Sequence, residues 1–392
     1  MTETAANPTG YQPSPDHPLT VACPWFPPVE REWLHGEFEA ILTGKLSMGP
    51  RTAAFESAFA SYCGVAHGVA FASCTAALES ALIALGVRPG DEVLVPVETF
   101  IATGMAVHLV GAKPVFVEIR ADTFSMDFAD AANKVGPRTK GAIVVHFGGF
   151  IAPDLPDFVN QMRERGCFVL EDAAHAHGSE LHHRKAGALA DAACFSFYPT
   201  KVMTTGEGGM LVTDNAEVAD IARSLQNRGL DLKNRDESYS LPGRNNRFPE
   251  ISAAMGLSQL RCLPDFLAAR RQAAAIYDRA LLASGLFDPL LPAPGVVPSY
   301  WRYVATPRVT LDRRELKQAL AAEGITIDWA YAPPLHLQPV CRTLFGTSPG
   351  LCPNSEAIMA KHLCLPIHAR FRPQDAEHVA ARLVHYTRSL AA

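Results

Sequence analysis

The sequence predicts an α/β fold in which a sheet of mostly parallel strands lies between layers of helices. Six short apolar runs between residues 92 and 214 alternate with segments of helical periodicity. The runs are nearly continuous in apolar residues, which is typical of strands buried on both faces. Alternation of strands and helices over this length indicates helices on both sides of the sheet.

The predicted strands precede a long helical stretch and a second α/β segment. The strands are predicted at residues 92–97, 113–119, 141–147, 167–173, 193–198 and 209–214. Between them, the segment TAALESALIALG carries Leu78, Leu82 and Leu85 on one helical stripe. A longer helical pattern covers about 250–284, and the proline-rich residues 289–298 lead into the C-terminal segment.

These features divide the chain of 392 residues into two predicted domains. Residues 1–20 are polar and have no apolar run, so we expect a flexible tail there rather than a signal peptide. A large domain is predicted over 21–260 and a smaller one over 261–392, with the long helix bridging the two.

Composition argues against several classes of protein. The net charge is −5, from 35 basic and 40 acidic residues without a basic stripe, so nucleic acid is not an expected partner. The nine cysteines form no CxxC pair, which predicts no metal site and a reducing, cytoplasmic environment. No apolar run is long enough to predict a membrane span.

Several polar residues lie at the ends of predicted strands or at the start of a predicted helix. In an α/β sheet, ligands bind at the edge formed by the carboxyl ends of the strands. Ser73, Cys74 and Thr75 begin the predicted helix that carries Leu78, where free amides suit a phosphate. The alternative for this segment is a simple helix cap. Asp172 ends a strongly apolar strand, where a carboxylate needs a cation or several donors, or else serves a turn. Phe100 offers a flat ring at the same edge, unless it packs in the core.

The segment FSFYPTKVMTTGEGG places Ser196 and Lys201 at and just beyond a strand end, before a glycine-rich turn. A lysine in a dry cleft has a lowered pKa and becomes a nucleophilic amine, whereas a surface lysine does not. A phosphate cradle, a flat ring, a carboxylate and a nucleophilic lysine together fit one ligand. That ligand is pyridoxal 5'-phosphate.

With these residues in view, the sequence resembles the DegT/DnrJ/EryC1/StrS family of sugar aminotransferases over about residues 20–390. The segments that carry the resemblance are LSMGPRTAAFESAFASYCG, GDEVLVPVETFIAT, GAKPVFVEI, EDAAHAHGS, FSFYPTKVMTTGEGGMLVTD, GRNNRFPEISAAMGLSQL and PPLHLQP. The resemblance implies a fold type I pyridoxal phosphate-dependent transferase. Such a protein has a large domain with a mostly parallel seven-stranded sheet and a smaller C-terminal α/β domain.

The resemblance also implies roles for individual residues. Lys201 is similar to the lysine that forms a Schiff base with the cofactor, and Asp172 to the partner of its ring nitrogen. His175 stands where the family has glutamine or histidine near the phenolic oxygen, and Phe100 resembles the stacking ring. The related sugar 3-dehydratases have histidine in place of the lysine, so Lys201 favours transamination.

The cofactor's phosphate is expected to contact both subunits of a homodimer. The amides of Cys74 and Thr75, with the hydroxyl of Ser196, resemble the phosphate cradle. Asn245 matches the asparagine that reaches the phosphate from the neighbouring subunit, so the family resemblance implies active sites at the dimer interface.

The substrate-binding edge departs from the family pattern. Phe150 stands where glutamine or asparagine is common, Arg244 where an aromatic residue is common, and Ala330 where many members have histidine. By analogy with the family's small-domain loop, Tyr331 and His336 are expected to line the substrate pocket. These departures concern the substrate rather than the class of enzyme.

The resulting hypothesis is an aminotransferase that moves an amino group from glutamate or glutamine to a keto sugar, which we expect to be nucleotide-activated. Amination of a ketone without a nucleotide, such as a cyclitol, is the alternative within enzymes. A non-catalytic regulator that binds pyridoxal phosphate is the alternative outside enzymes.

Overall fold

The computed structural model describes residues 13–233 and 238–391. The strands, in chain order, are β1 (His67–Phe71), β2 (Glu92–Pro96), β3 (Lys113–Val117), β4 (Thr139–Val145), β5 (Phe168–Asp172), β6 (Glu180–Leu181), β7 (Arg184–Lys185), β8 (Ala192–Ser196), β9 (Gly209–Thr213), β10 (Phe287–Pro289), β11 (Val296–Val297), β12 (Tyr303–Pro307) and β13 (Leu363–Leu365). The helices are α1 (Pro28–Leu42), α2 (Pro50–Cys63), α3 (Cys74–Ala84), α4 (Ile101–Leu109), α5 (Phe128–Lys134), α6 (Leu155–Glu164), α7 (Ala216–Gln226), α8 (Glu250–Ser284), α9 (Arg313–Ala321), α10 (Pro339–Phe345), α11 (Pro353–Met359) and α12 (Pro373–Leu390).

A seven-stranded sheet forms the centre of the fold, with the order β1-β9-β8-β5-β4-β2-β3. Strand β9 runs antiparallel to both of its neighbours, and the pairs from β8 to β3 are parallel. The predicted mostly parallel seven-stranded sheet is therefore confirmed. The six predicted apolar runs match β2, β3, β4, β5, β8 and β9 to within two residues at each end.

Strand β1 is the strand that the apolar runs did not predict, because it carries His67 and Gly68. The glycine is required there, since a Cβ on Gly68 would lie 2.6 Å from the carbonyl oxygen of Glu56 in α2. Close packing of α2 against the sheet edge thus requires glycine at position 68 and excludes a β-branched residue there. The apolar pattern of this strand is weakened as a result.

The apolar core lies on both faces of the central sheet. In β5, Val169 belongs to the core on one face and Leu170 to the core on the other, and both side chains are fully buried. Ile143 and Val144 divide in the same way in β4. Helices cover both faces, so the ends of the strands are the places where polar side chains can reach solvent.

A second sheet, with the order β10-β12-β13, packs with α9 and α12 near the C-terminus. The 35 residues of α8 reach from α2 and α1 to α12, as expected for the long helix of about 250–284. The division of the chain at residue 260 stays a prediction. Of the tail predicted over 1–20, residues 1–12 lie outside the described residues and residues 13–20 are described. Within its last part, Leu19 is buried and hydrogen-bonds to Gly324 and Thr326.

Among the described residues, no helix combines the length and the apolar character that a membrane span requires.

The carboxylate of Glu250, at the first position of α8, joins this helix to the start of α2. Helix α2 has Gly49 at its N-cap and therefore no side chain of its own to accept hydrogen bonds there. Glu250, which is fully buried, accepts four hydrogen bonds of 2.6–2.9 Å from the amides of Gly49, Arg51 and Thr52 and from the Thr52 hydroxyl. Burial raises the pKa of Glu250, but the hydrogen bonds together lower it by more than burial raises it. The pKa of Glu250 therefore lies below its usual value.

We expect Glu250→Gln to lower the free energy of unfolding by about 2 kcal/mol, because a neutral amide replaces a charged acceptor of several hydrogen bonds. Urea unfolding at pH 7 measures this loss. Because the folded pKa lies below the unfolded one, the parent should lose its advantage as the pH falls through the folded pKa. Glu37→Gln is the matched control, since Glu37 pairs with Arg51 at the surface and should contribute less than about 1 kcal/mol. Equal losses in the two variants would contradict the role of Glu250.

Candidate active site

A cavity of about 520 Å³ opens at the carboxyl ends of the central strands and at the N-terminus of α3. Eight predicted site residues line it, namely Cys74, Thr75, Phe100, Asp172, His175, Ser196, Lys201 and Tyr331. The structure therefore brings together in one site segments that the sequence separates by more than 250 residues.

The N-terminus of α3 faces this cavity. Ser73 is the N-cap, and its hydroxyl accepts a hydrogen bond of 3.2 Å from the amide of Ala76. The amides of Cys74 and Thr75 have no hydrogen-bond partner among the described residues, so capping leaves two donors directed at a ligand. A Cβ on Gly209 would lie 2.5 Å from the amide nitrogen of Cys74, so only glycine allows β9 to pack against this end of α3. The helix terminus and the nearby Ser196 line the same cavity, and such a set of donors could hold an anion.

Asp172 lies at the end of β5 and is 5% exposed. Its carboxylate accepts hydrogen bonds of 2.7 Å from the Thr103 hydroxyl and 3.2 Å from the amide of Ala174. Burial nevertheless raises the pKa of Asp172, because these two donors do not replace full hydration. A cation placed in the cavity would stabilise the charged form.

Lys201 follows β8 and projects into the same cavity. Burial lowers the pKa of Lys201 to about 8, although the negative charge of Asp172 opposes this shift. Its ammonium nitrogen lies 4.6 Å from the centre of the Trp301 ring, and the Trp301 indole donates a hydrogen bond of 2.7 Å to the carbonyl of Thr200. The lysine is therefore a positioned amine whose neutral form is far more populated near pH 8 than that of a lysine in water.

A stack of aromatic rings forms one wall of the cavity. The His175 ring lies 3.6 Å from the Trp301 ring at an interplanar angle of 5°, and its Nε2 atom is 2.7 Å from the Tyr331 hydroxyl. Burial, together with the positive charge of Lys201, holds the pKa of His175 well below its usual range. The imidazole is therefore neutral, and its Nε2 atom forms a hydrogen bond with the Tyr331 hydroxyl.

The sequence-based predictions missed several residues that line this cavity, among them Thr103, Trp301, Arg302 and Asp328. Thr103 lies one helical turn after Phe100, so a polar residue on the cavity side of α4 was a usable signal. The other three come from the segment around β12 and the loop before α10, and no local pattern relates them to Lys201.

Phe100 lies at the rim of the cavity, and two further predicted residues, Asn245 and His336, do not line it. Phe100 is 54% exposed at the rim, with its ring 5.8 Å from Tyr331, so it does not pack in the core. Asn245 is exposed and does not line the cavity of its own chain. The expectation for His336 was wrong, because this fully buried side chain lies outside the cavity and pairs with Glu356 at 2.9 Å.

The departures from the family pattern have separate structural settings. Phe150 is buried against Tyr300, and Arg244 pairs with Glu79 at 3.1 Å, so neither side chain lines the cavity. Ala330 does line it, and its small side chain widens the space beside Tyr331. Within the described ranges, no group of three or more histidine, cysteine, aspartate or glutamate side chains is placed to hold a metal ion.

A sheet of this topology with a lysine and a buried carboxylate at its carboxyl edge is the arrangement of an aminotransferase. The model of the DegT/DnrJ/EryC1/StrS aminotransferase family matches residues 30–384, and the chain belongs to this family.

Relatives and solved structures match over most of the chain. GDP-perosamine synthase of Caulobacter vibrioides is 35% identical over 370 residues, which cover 93% of this chain and 97% of that protein. The dTDP-3-amino-3,4,6-trideoxy-alpha-D-glucose transaminase of Streptomyces venezuelae is 36% identical over 85% of this chain and 86% of its own length. The crystal structure of the aminotransferase TlmJ from Streptoalloteichus hindustanus has a TM-score of 0.87 at 32% identity and covers 95% of this chain and 100% of that one.

The lowered pKa of Lys201 gives a test of the cavity in protein from which any bound small molecule has been removed. Acetylation with acetic anhydride, followed by peptide mass spectrometry, should reach half its maximum near pH 8 at Lys201. A lysine in water titrates near about 10.4, and the exposed Lys361 serves as the internal control.

The Asp172→Asn variant should move the Lys201 profile to lower pH, because it removes the negative charge that stabilises the ammonium form. A Lys201 profile that coincides with that of Lys361 would contradict the described environment.

Proposed function

We propose that the protein transfers an amino group from an amino acid, glutamate or glutamine, to a nucleotide-activated keto sugar with the help of pyridoxal 5'-phosphate. The observation that carries the proposal is the meeting of three groups in one cavity. These are the amine of Lys201, the buried carboxylate of Asp172 and the free amides at the start of α3.

The donor set of the cavity fits this cofactor. The α3 amides and Ser196 would hold a phosphate, and Asp172 would hold a protonated ring nitrogen, which is the cation that its buried carboxylate lacks. When bound, the cofactor supplies an aldehyde that reacts with amines and a ring that accepts electrons. The buried Nδ1 atom of His175 has no hydrogen-bond partner in the described part of the chain, so it would give this side of the cavity a further polar contact for the group.

Lys201 is the residue that we assign to proton transfer. Its Nζ atom would take a proton from the α-carbon of the amino acid and deliver it to the cofactor carbon that carries the amino group after the half-reaction. This role requires the neutral form of the amine, which the lowered pKa of about 8 favours. Asp172 would keep the ring nitrogen protonated, and the aromatic wall would exclude water from the reacting groups. His175 is neutral, so it would contribute a hydrogen bond and not a charge.

The substrate class rests on the family and on the names of its members. The two relatives described above are a GDP-perosamine synthase and a dTDP-amino-sugar transaminase, and both names specify a nucleotide-linked amino sugar. The acceptor that we propose is therefore a nucleoside diphosphate-linked keto hexose. The nucleotides of the two relatives differ, so the base is not part of the proposal.

The function is tested by following each half of the reaction separately with the purified enzyme. In the absence of an acceptor, glutamate should yield about one equivalent of 2-oxoglutarate per site, as expected for a two-step transfer. Adding a panel of 3-keto and 4-keto 6-deoxyhexoses, linked to guanosine or thymidine diphosphate or to no nucleotide, should then yield an amino sugar detected by mass spectrometry. Turnover of a cyclitol ketone alone would favour the alternative substrate, and no reaction with any amino acid would favour a regulator.

Lys201→Ala should slow both halves of the reaction by at least about 10³-fold, because no other amine in the cavity can move the proton. Lys361→Ala, at an exposed position, is the matched control and should keep the parent rate. Near-parent activity in Lys201→Ala would exclude the assigned role.

We also propose a homodimer in which Asn245 reaches the phosphate of the partner subunit, as the family resemblance implies. Its exposure in the single chain and its distance from that chain's own cavity support this role. The single-chain cavity would then be completed by the second subunit.

Two inactive variants, Lys201→Ala and Asn245→Asp, should complement each other in mixed dimers, because one hybrid site would contain both native residues. Asn245→Asp alone should weaken cofactor retention, since its negative charge would lie beside the phosphate. Subunit-exchanged mixtures measured against each separate variant provide the test, and mixtures no more active than the variants would contradict the cross-subunit role.

A further inference from the structure

Arg302, in the cavity wall, has hydrogen-bonding capacity that the chain does not use. The residue is 5% exposed. One nitrogen, Nη1, donates hydrogen bonds of 2.9 Å to the carbonyl of Val21 and of 3.4 Å to the carbonyl of Trp301, which fix the orientation of the guanidinium. The Nε atom is buried and has no partner among the described residues. A buried guanidinium normally engages most of its five donors, so this arrangement leaves room for a ligand.

The nearest carboxylate to this guanidinium, that of Asp328, is also incompletely paired. Its Oδ2 atom lies 3.6 Å from the Nη2 atom of Arg302, which is longer than a hydrogen bond. Its Oδ1 atom is buried and, within the described part of the chain, accepts no hydrogen bond. Both side chains line the cavity, so donors and acceptors of opposite charge stand side by side in its wall.

The chemistry of this pair selects one kind of ligand group. A carboxylate or phosphate would match Arg302 but would be repelled by Asp328, and an ammonium group would meet the reverse situation. A hydroxyl group donates one hydrogen bond and accepts others, so it satisfies both partners at once. Two neighbouring hydroxyls on a ring would use the whole pair.

The pair also lies close to the reacting amine. The guanidinium of Arg302 lies 4.2 Å from the centre of the Trp301 ring, and the Nζ atom of Lys201 lies 4.6 Å from the same ring. Both cations therefore lie against the same ring, and both line the same cavity. Ala330, two residues after Asp328, leaves space beside the pair.

We propose that Arg302 and Asp328 form a subsite that binds ring hydroxyls of the acceptor sugar and determines which sugar the enzyme accepts. This inference rests on the proposed function, because it assigns a subsite to the acceptor of that reaction. The pair contacts the acceptor and not the amino acid donor, since its combined charge is zero and offers no net attraction for the donor's carboxylates.

The test compares Arg302→Lys and Asp328→Asn with the parent holoenzyme in each half of the reaction. The probes are glutamate for the donor half, and for the acceptor half the 3-keto and 4-keto 6-deoxyhexoses linked to guanosine or thymidine diphosphate. We expect each variant to lower kcat/KM for the acceptor half by about 10- to 100-fold, the loss of hydrogen bonds to charged groups. For the donor half, kcat/KM should change less than about twofold, because no hydrogen bond to the donor is lost.

A binding measurement that needs no turnover accompanies the kinetics. Calorimetric titration of the parent and variants with the corresponding unreactive nucleoside diphosphate 6-deoxyhexoses should show the same weakening as the acceptor half. Arg308→Gln is the matched control, because Arg308 forms an exposed pair of 2.6 Å with Asp288 and does not line the cavity. Asp328→Asn is nearly isosteric and partly exposed, so it keeps the test informative even if the Arg302 variant fails to fold.

Four outcomes would overturn the inference. Equal losses in both halves would indicate a structural role for the pair. A loss confined to the donor half would assign Arg302 to the donor's carboxylate instead. If the donor half proceeds normally but the parent binds and converts no keto sugar, the proposed acceptor class and this subsite fail together. If the parent converts a keto sugar and the variants show no selective loss in the acceptor half, the subsite alone is refuted.

Discussion

The cavity depends on a carboxylate that is buried at the end of a central strand. Asp172 receives hydrogen bonds from Thr103 and Ala174, yet burial still raises its pKa. The nearest compensating charge is Lys201, whose own pKa is lowered by burial and raised by Asp172. Each group therefore makes the charge of the other less costly, and the parallel sheet holds both at the same edge. The remaining site residues line the cavity around Asp172 and Lys201.

Much of the fold and part of the site could be predicted from the sequence because the relevant signals are local. A strand buried on both faces is a continuous apolar run, and a polar residue directly after such a run must lie at the sheet edge, as Asp172 and Lys201 do. Strand β1 escaped prediction because Gly68 serves the packing of α2 and weakens the strand pattern. His336 misled the prediction because its partner, Glu356, comes from a separate helix whose position the sequence does not reveal.

The residues that no local pattern identified share a physical property, which is that tertiary packing alone brings them to the cavity. Trp301 follows a proline-rich segment and is separated by 100 residues from Lys201, yet its indole contacts Lys201, His175 and Arg302. A flat ring with few rotamers can organise several polar neighbours at a low entropic cost. The aromatic wall thus supplies rigidity that the glycine-rich turn after Lys201 does not provide.

The hydrogen bond from Arg302 to the carbonyl of Val21 has a consequence for how such a pocket can evolve. Three segments that are distant in sequence, near residues 21, 302 and 328, meet at one guanidinium. The Val21 contact uses a backbone atom, so substitutions at that position leave the anchor intact while the two side chains vary. A chimera of two homologues with a crossover between residues 21 and 302 would take this carbonyl from one parent and the guanidinium from the other. Because every residue offers such a carbonyl, the anchor is kept wherever the backbone follows the same path at residue 21, and the C-terminal third carries both of the side chains that vary.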